Sequence, residues 1–291
     1  MRPPDSLTSV SHAQKVRIPG RGTSWVHDVA GPPGAPTVVL LHGLGATAAI
    51  NWPGAPGFLS RNFRVIALDQ RGHGRGIRSA WPFRLEDCAD DVVALADVVG
   101  VERFVAVGYS MGGPVAMLTR RRHPSRVSGL VLCATSARFS DDTSASPMVS
   151  AMAASLRMMP GPLRRQLATS MTDFAARRWR VPPALVEEVR RHDPAAIVEA
   201  ARAVRRFDAT GWLADLNCPA VSIVTMNDGL VPARTQLQLA HAIGATVFRI
   251  PSDHAVPGRD PRTFLPALDH ACRTVTARTA ITYTSPSRQT G

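Results

Sequence analysis

Residues 103–113 read RFVAVGYSMGG, and this stretch decides how the rest of the chain is read. Phe104 to Val107 is a short apolar run rich in β-branched residues, which predicts a buried strand. The run stops at Gly108-Tyr109-Ser110-Met111-Gly112, a match to G-x-S-x-G, and Pro114 to Leu118 reads as the opening of a helix. A serine between such a strand and such a helix sits on a tight, strained turn that only small neighbours permit. Gly108 and Gly112 remove the Cβ atoms that would collide there, and Gly113 lets the helix pack close. The turn lifts the Ser110 hydroxyl above the strand end, beside a helix N-terminus whose partial positive charge favours an oxyanion.

Outward from this stretch, strand, loop and helix alternate. Val16 to Ala30 suggests two short strands about Gly20-Arg21-Gly22. Thr37 to Leu41 is a buried strand ending at His42-Gly43-Leu44-Gly45, and Phe63 to Leu68 another, ending at Asp69-Gln70-Arg71-Gly72-His73-Gly74. Leu85 to Val99 has helical spacing, the helix after Ser110 runs to about His123, and Val127 to Ala134 is the next strand. This alternation predicts an α/β fold with a mostly parallel, doubly wound sheet and helices on both faces. Ligands bind such sheets at the carboxyl ends of the strands, so the loops at Gly43, Asp69 and Ser110 should share one edge.

From about Ala137 to Trp212 the periodicity turns purely helical, with candidate helices at Pro147–Met159, Leu163–Arg178, Pro183–Arg191 and Pro194–Phe207. The stretch reads as a helical cap inserted into the α/β order, and its methionines (Met148, Met152, Met158, Met159 and Met171) read as cap core. The α/β pattern resumes with a strand at Pro219–Thr225, a helix at Arg234–Ile243, a strand at Thr246–Ile250 and a last helix from Pro261 to about Val275. The expected organisation is a discontinuous core of residues 15–136 and 214–278, a cap over 137–213, and loose tails at 1–14 and 279–291.

A serine hydroxyl becomes a nucleophile when a base takes its proton, and the base needs an orienting carboxylate. The chain order expected for this strand–turn–helix setting is serine, acid, histidine. Asp228 lies just past a strand end, before Gly229, and is the candidate acid. Of nine histidines, only His42, His73 and His254 follow strand ends, and only His254 follows both Ser110 and the acid. His254 is therefore the candidate base.

The 291 residues carry a formal charge of +12, from 34 basic and 22 acidic residues, and Lys15 is the only lysine. A nucleic-acid binder would concentrate its cations in one tract, whereas these arginines are spread along the chain. They read as a solvated surface, with weak contact to anionic lipid headgroups as the sharper alternative. No apolar run is long enough to span a bilayer and the N-terminus lacks a signal-peptide core, so a cytoplasmic location is expected. The four cysteines, Cys88, Cys133, Cys218 and Cys272, form no C-x-x-C pair, and neither a disulfide nor a metal site is expected.

These motifs together resemble the α/β-hydrolase fold superfamily over nearly all of residues 20 to 278. The resemblance rests on His42-Gly43-Leu44-Gly45, Asp69 to Gly74, Gly108 to Gly113, Asp228 with Val231-Pro232, and His254 with Pro261. It implies a catalytic triad of Ser110, Asp228 and His254 and an oxyanion hole from the backbone N–H groups of Leu44 and Met111. It also implies acyl transfer on a small-molecule ester with no metal or organic cofactor. In such proteins the histidine at His42 shapes the oxyanion loop and that at His73 belongs to a structural turn. The chain departs from the family pattern at Tyr109 (often histidine), at Thr225 and Asp253 (usually glycine) and at Gly76 (often serine). Asp253 adds a second carboxylate beside the base, a fallback orienter. Serine at the turn argues against haloalkane dehalogenases and epoxide hydrolases, which use aspartate there. A carboxylesterase or lipase-like esterase is the leading expectation, ahead of a carbon–carbon bond hydrolase of ring-cleavage products and a cofactor-free perhydrolase. A ligand sensor that kept the fold is the alternative from outside enzymology.

Overall fold

A computed structural model describes residues 13–140, 147–179 and 183–284. Strands β1 (Gln14–Ile18) and β2 (Gly22–Val29) form an antiparallel hairpin, and β3 (Thr37–Leu41) begins the parallel part of the sheet. Two short helices, α1 (Ala48–Asn51) and α2 (Ala55–Leu59), lead to β4 (Arg64–Leu68). Helix α3 (Leu85–Val98), strand β5 (Phe104–Tyr109), helix α4 (Gly112–Arg122) and strand β6 (Val127–Cys133) follow. The eight strands form one sheet in the order β1-β2-β4-β3-β5-β6-β7-β8, with β7 at Ala220–Thr225 and β8 at Thr246–Ile250. Pairing from β4 across to β8 is parallel, and β2 meets β4 antiparallel.

The period of two along the central strands divides the core between the two faces of the sheet. Val39, Leu41, Ile66, Leu68, Ala106, Leu130 and Leu132 pack on one side, against α3, α4 and α9 (Ala233–Ala242). Val38, Leu40, Val65, Ala67, Val105, Val107 and Val131 pack on the other. That second face is covered by α1, α2, α10 (Val256–Arg259) and α11 (Pro261–Thr284). Every residue of β5 is buried, as a central parallel strand requires.

Among the described residues, four α-helices stand between β6 and β7: α5 (Pro147–Met158), α6 (Gly161–Trp179), α7 (Pro183–Arg190) and α8 (Pro194–Arg206). The chain leaves and re-enters the sheet layer at one point, where Arg138 and Asp208 form an antiparallel bridge and the Ala209 N–H donates to the Ala137 carbonyl at 2.9 Å. Helix α8 starts with an Asp193 cap whose carboxylate accepts from the Ala195 and Ala196 N–H groups, with proline at its first turn. It buries Ala195, Ala196, Ala200 and Val204. The expectation that methionines form the core of this insertion does not hold for Met152 and Met158, which are 48% and 86% exposed. Small residues at helical spacing, Ala153, Ala196 and Ala200, occupy the buried face instead. Met148 and Met171 lie outside the described side chains.

The turn after β4 is tied to α3 by a buried ion pair. Arg71 Nε and Nη2 each lie 2.7 Å from an Asp91 carboxylate oxygen, and Asp91 is 2% exposed. Removing one partner of such a pair strands the other charge and typically costs about 3–5 kcal/mol.

Two expectations at the chain ends need correction. Helix α11 continues past Val275 to Thr284, so residues 279–284 are not a loose tail. Nothing in that stretch stops a helix: it holds no proline or glycine, and extending a formed helix is far easier than starting one. Thr274, Thr276 and Thr279 also turn their hydroxyls back onto the carbonyls four residues earlier. At the other end Gln14 already belongs to β1. Residues 1–12 and 285–291, expected as tails, lie outside the described residues. Among the described residues no helix is long and apolar enough to cross a membrane, and the four cysteines are free thiols.

Candidate active site

Ser110 follows β5 with φ 52°, in the left-handed region that costs a residue with a Cβ, as a sharp strand-to-helix reversal demands. The three glycines around it are set by contact. A Cβ on Gly108 would lie 2.2 Å from the Gly112 carbonyl oxygen. One on Gly112 would lie 2.1 Å from the Leu41 carbonyl oxygen, and one on Gly113 2.2 Å from Thr135 Oγ1. The turn is stitched by the Ser110 N–H donating to the Cys133 carbonyl at 2.9 Å, and by the Gly113 N–H and the Thr135 hydroxyl donating to the Ser110 carbonyl.

The loop after β3 lies alongside. A Cβ on Gly43 would sit 3.3 Å from Ser110 Cβ, so these two strand ends share one edge, as expected of Gly43 and Ser110. His42 is fully buried, and burial pushes its pKa below the usual imidazole range. It acts as a brace: Nδ1 donates to the Gly43 carbonyl at 2.8 Å and Nε2 accepts the Gln70 N–H at 2.9 Å. The Asn51 carboxamide oxygen accepts the Gly43 N–H at 2.8 Å, and Gln70 Nε2 donates to the His42 carbonyl. A peptide group is planar, so holding the Gly43 carbonyl also aims the Leu44 N–H. Met111, whose N–H is the other expected oxyanion donor, is fully buried at the head of α4. His73 is buried too, its Nδ1 on the Arg71 carbonyl, and desolvation holds it neutral.

Asp228 and His254 come from loops after β7 and β8 and meet at 2.7 Å between His254 Nδ1 and Asp228 Oδ2. Asp228 is buried and fully hydrogen-bonded. Oδ1 accepts the Leu230 and Val231 N–H groups, each at 2.9 Å, and Oδ2 accepts the Thr225 hydroxyl at 2.7 Å. Burial alone would raise this carboxyl's pKa; the bonds from His254, Val231 and Thr225 outweigh it and hold the pKa below the usual range. Asp253, the fallback orienter, instead places its carboxylate on Arg259 and on the Ala255 N–H. The His254 loop is pinned by Tyr109, whose phenol donates to the His254 carbonyl at 2.8 Å. The residue before Ser110 thus ties the histidine's loop to the serine's strand.

Several supporting groups were missed by the sequence reading. Gln236, wholly buried on α9, accepts the Thr225 N–H and donates to Thr225 Oγ1 at 2.8 Å and to the Val231 carbonyl at 2.7 Å. The threonine at a usual glycine position therefore has a use: its hydroxyl links Gln236 to Asp228. Replacing Gln236 with leucine is expected to lower unfolding free energy by about 2 kcal/mol, since it leaves buried groups unpaired. Urea denaturation of both proteins measures it. Gly76 replaces the usual serine where a Cβ would meet the Gln70 carbonyl oxygen at 2.2 Å.

Sheet order and serine turn define a class: an α/β fold that sets a serine between a central parallel strand and a helix, at the carboxyl edge of the sheet. The chain belongs to the α/β hydrolase fold family, whose sequence pattern matches residues 36–256. It is 30% identical over 232 residues to the provisionally named carbamate hydrolase RutD of Variovorax paradoxus, covering 75% of this chain and 83% of that protein. It is 38% identical to epoxide hydrolase B of Mycobacterium tuberculosis, over 38% of this chain and only 32% of that enzyme. Among solved structures, a thermophilic esterase from Thermogutta terrifontis, with malate bound, superposes with a TM-score of 0.70 at 27% identity. That match covers 90% of this chain and 99% of the esterase.

Proposed function

We propose that the protein is a serine hydrolase that cleaves small carboxylic esters through an acyl-enzyme. The observation that carries this reading is the 2.7 Å bond from His254 Nδ1 to the buried Asp228, on a loop that Tyr109 ties to the Ser110 strand. Asp228 accepts a hydrogen bond from Nδ1–H, which keeps the proton on Nδ1 and leaves the Nε2 lone pair to take the Ser110 proton as Oγ attacks the carbonyl carbon. The Leu44 and Met111 N–H groups hold the resulting oxyanion. The imidazolium returns its proton to the leaving alcohol, and water activated by the same nitrogen then releases the acid and restores Ser110. The helices between β6 and β7 serve as a cap over this site.

The likeness to the Thermogutta terrifontis esterase supports the ester reading. The likeness to the Variovorax paradoxus protein favours a second, carbamate hydrolysis, in which the same serine attacks a less electrophilic carbonyl. A panel of p-nitrophenyl esters from acetyl to lauroyl, with a matched p-nitrophenyl carbamate, tests both. Ester kcat/KM exceeding the carbamate value is the expected result. Carbamate turnover without ester turnover would replace the first reading by the second. A well-folded protein inert to the whole panel and to a fluorophosphonate would leave the non-catalytic sensor.

A further inference from the structure

His192 lies between α7 and α8, remote in sequence from Ser110, Asp228 and the loop after β3, yet its ring joins that loop, which lies against Ser110, to the turn after β4. Nε2 lies 3.0 Å from the Gly45 carbonyl oxygen and Nδ1 accepts the Gly74 N–H at 2.8 Å. One tautomer satisfies both contacts, the neutral ring with its proton on Nε2. The surrounding backbone is docked closely. The Asp193 N–H donates to the Gly72 carbonyl at 2.8 Å, and Arg78 donates to the Arg191 and Gly74 carbonyls. A Cβ on Gly72 would lie 2.4 Å from Ala196 Cβ, so this end of α8 rests directly on the turn after β4.

Gly43 to Ala46 form a turn closed by the Ala46 N–H on the Gly43 carbonyl at 3.3 Å, with Gly45 at φ 69°. Two of its four residues are glycine, so the chain itself supplies little stiffness. His42 and Asn51 secure the carbonyl and the N–H of Gly43 from inside the core. The last carbonyl, that of Gly45, is secured from the inserted helices by His192. We infer that His192 is a positioning residue, which holds the Leu44 N–H in register for the oxyanion by anchoring Gly45 to the inserted helices. An oxyanion donor acts only when held within a few tenths of an ångström of its working place, so loosening this anchor slows turnover while leaving substrate binding in place.

Burial, the largest influence on His192, holds its pKa down to about 4, and the Gly45 carbonyl acts in the opposite sense. The charged and titratable groups around it are His42, Asp69 and Arg78 on the core loops, with His73 stacked edge-on at 5.5 Å. Between α7 and α8, Arg191 and Asp193 flank it, and Arg164 on α6 faces Asp193 at 3.8 Å. The ring is therefore neutral at physiological pH and keeps its single donor on Gly45.

Two substitutions separate anchoring from docking. In His192→Asn the side-chain oxygen stands in for Nδ1 and retains Gly74, but nothing reaches Gly45. In His192→Gln the amide reaches Gly45 as Nε2 does. The experiment reads kcat and KM for p-nitrophenyl acetate, together with hydrogen–deuterium exchange of the peptide spanning residues 43–46. The expected result for His192→Asn is a kcat lower by about 10- to 100-fold, KM within about twofold and faster exchange. His192→Gln restores both kcat and exchange to within about threefold. Unchanged kcat and exchange in the asparagine variant, or equal losses in both variants, would overturn the inference. This inference rests on the ester-hydrolase reading for its kinetic arm alone. If the wild type turns over no ester, that reading fails by itself, and exchange in the two variants still decides whether His192 anchors the loop.

Discussion

Ser110→Ala is expected to lower ester turnover by roughly 10⁴- to 10⁶-fold while leaving the protein folded. Intact mass after treatment with a fluorophosphonate should show one adduct on the wild type and none on the variant. The expected effect is this large because the variant lacks the atom that forms the acyl bond, and the neighbouring hydroxyls of Tyr109 and Thr135 are committed to backbone carbonyls. Folding is expected to survive because alanine already occupies comparable backbone in this protein: Ala134, at the end of the neighbouring strand, has φ 47°. The backbone bonds that stitch the turn use main-chain groups that the variant keeps. Turnover retained within tenfold in the variant would remove Ser110 from the reaction and with it the acyl-enzyme.

Asp228→Asn should lower kcat about 10⁴-fold, for a reason that the hydrogen bonds dictate. Oδ1 accepts two backbone N–H groups, so the asparagine must put its carbonyl oxygen there. Its amide nitrogen then faces His254 Nδ1, a donor where an acceptor stood. The imidazole responds by moving its proton to Nε2, the atom that must be free to receive the proton of Ser110. Stopped-flow rates for the two proteins measure the loss, and near-full activity would shift the acid's role away from Asp228. A stability signature accompanies it. The folded pKa of Asp228 lies below its unfolded value, so the carboxylate stabilises the fold fully above the unfolded value of about 4. That contribution fades as the pH falls through the lower folded pKa. The stability gap between wild type and variant should therefore narrow in acid, as melting temperatures at pH 7 and pH 3 would record.

The alternation of apolar runs and glycine-ended loops was enough to read the sheet. The bounds of β3 and β8 match the sequence reading residue for residue; β3, buried along nearly its whole length, is a continuous apolar run with turn signals at both ends, and β8 at the sheet edge is delimited by Gly244 before it and Pro251 after it. The end of α11 was misread because the last apolar residue at helical spacing does not end a helix, which stops at a glycine, a proline or a lost hydrogen bond. The methionines misled for a related reason, since apolar side chains at helical spacing do not say which face finds a partner. Within the candidate site, residues carrying a local signature were legible: the serine in its glycine frame, the aspartate and histidine past strand ends. His192, Gln236, Asn51 and Tyr109 were not. Each acts through hydrogen bonds to groups that the fold brings near, up to 147 residues away for His192 and Gly45, and no spacing rule announces such a partner.

The clasp at Arg138 and Asp208 bears on how this chain can change over generations. About seventy residues leave and return through two backbone positions in direct contact, so the sheet's strand order is closed whatever the length of chain between them. The entropic cost of closing a loop rises slowly, by about 0.6 kcal/mol for each doubling of its length. Residues may thus be gained, lost or exchanged inside the clasp at small cost to the sheet, provided that its two ends still pair. That freedom ends around His192 and Asp193, where the excursion reaches back to Gly45 and Gly72.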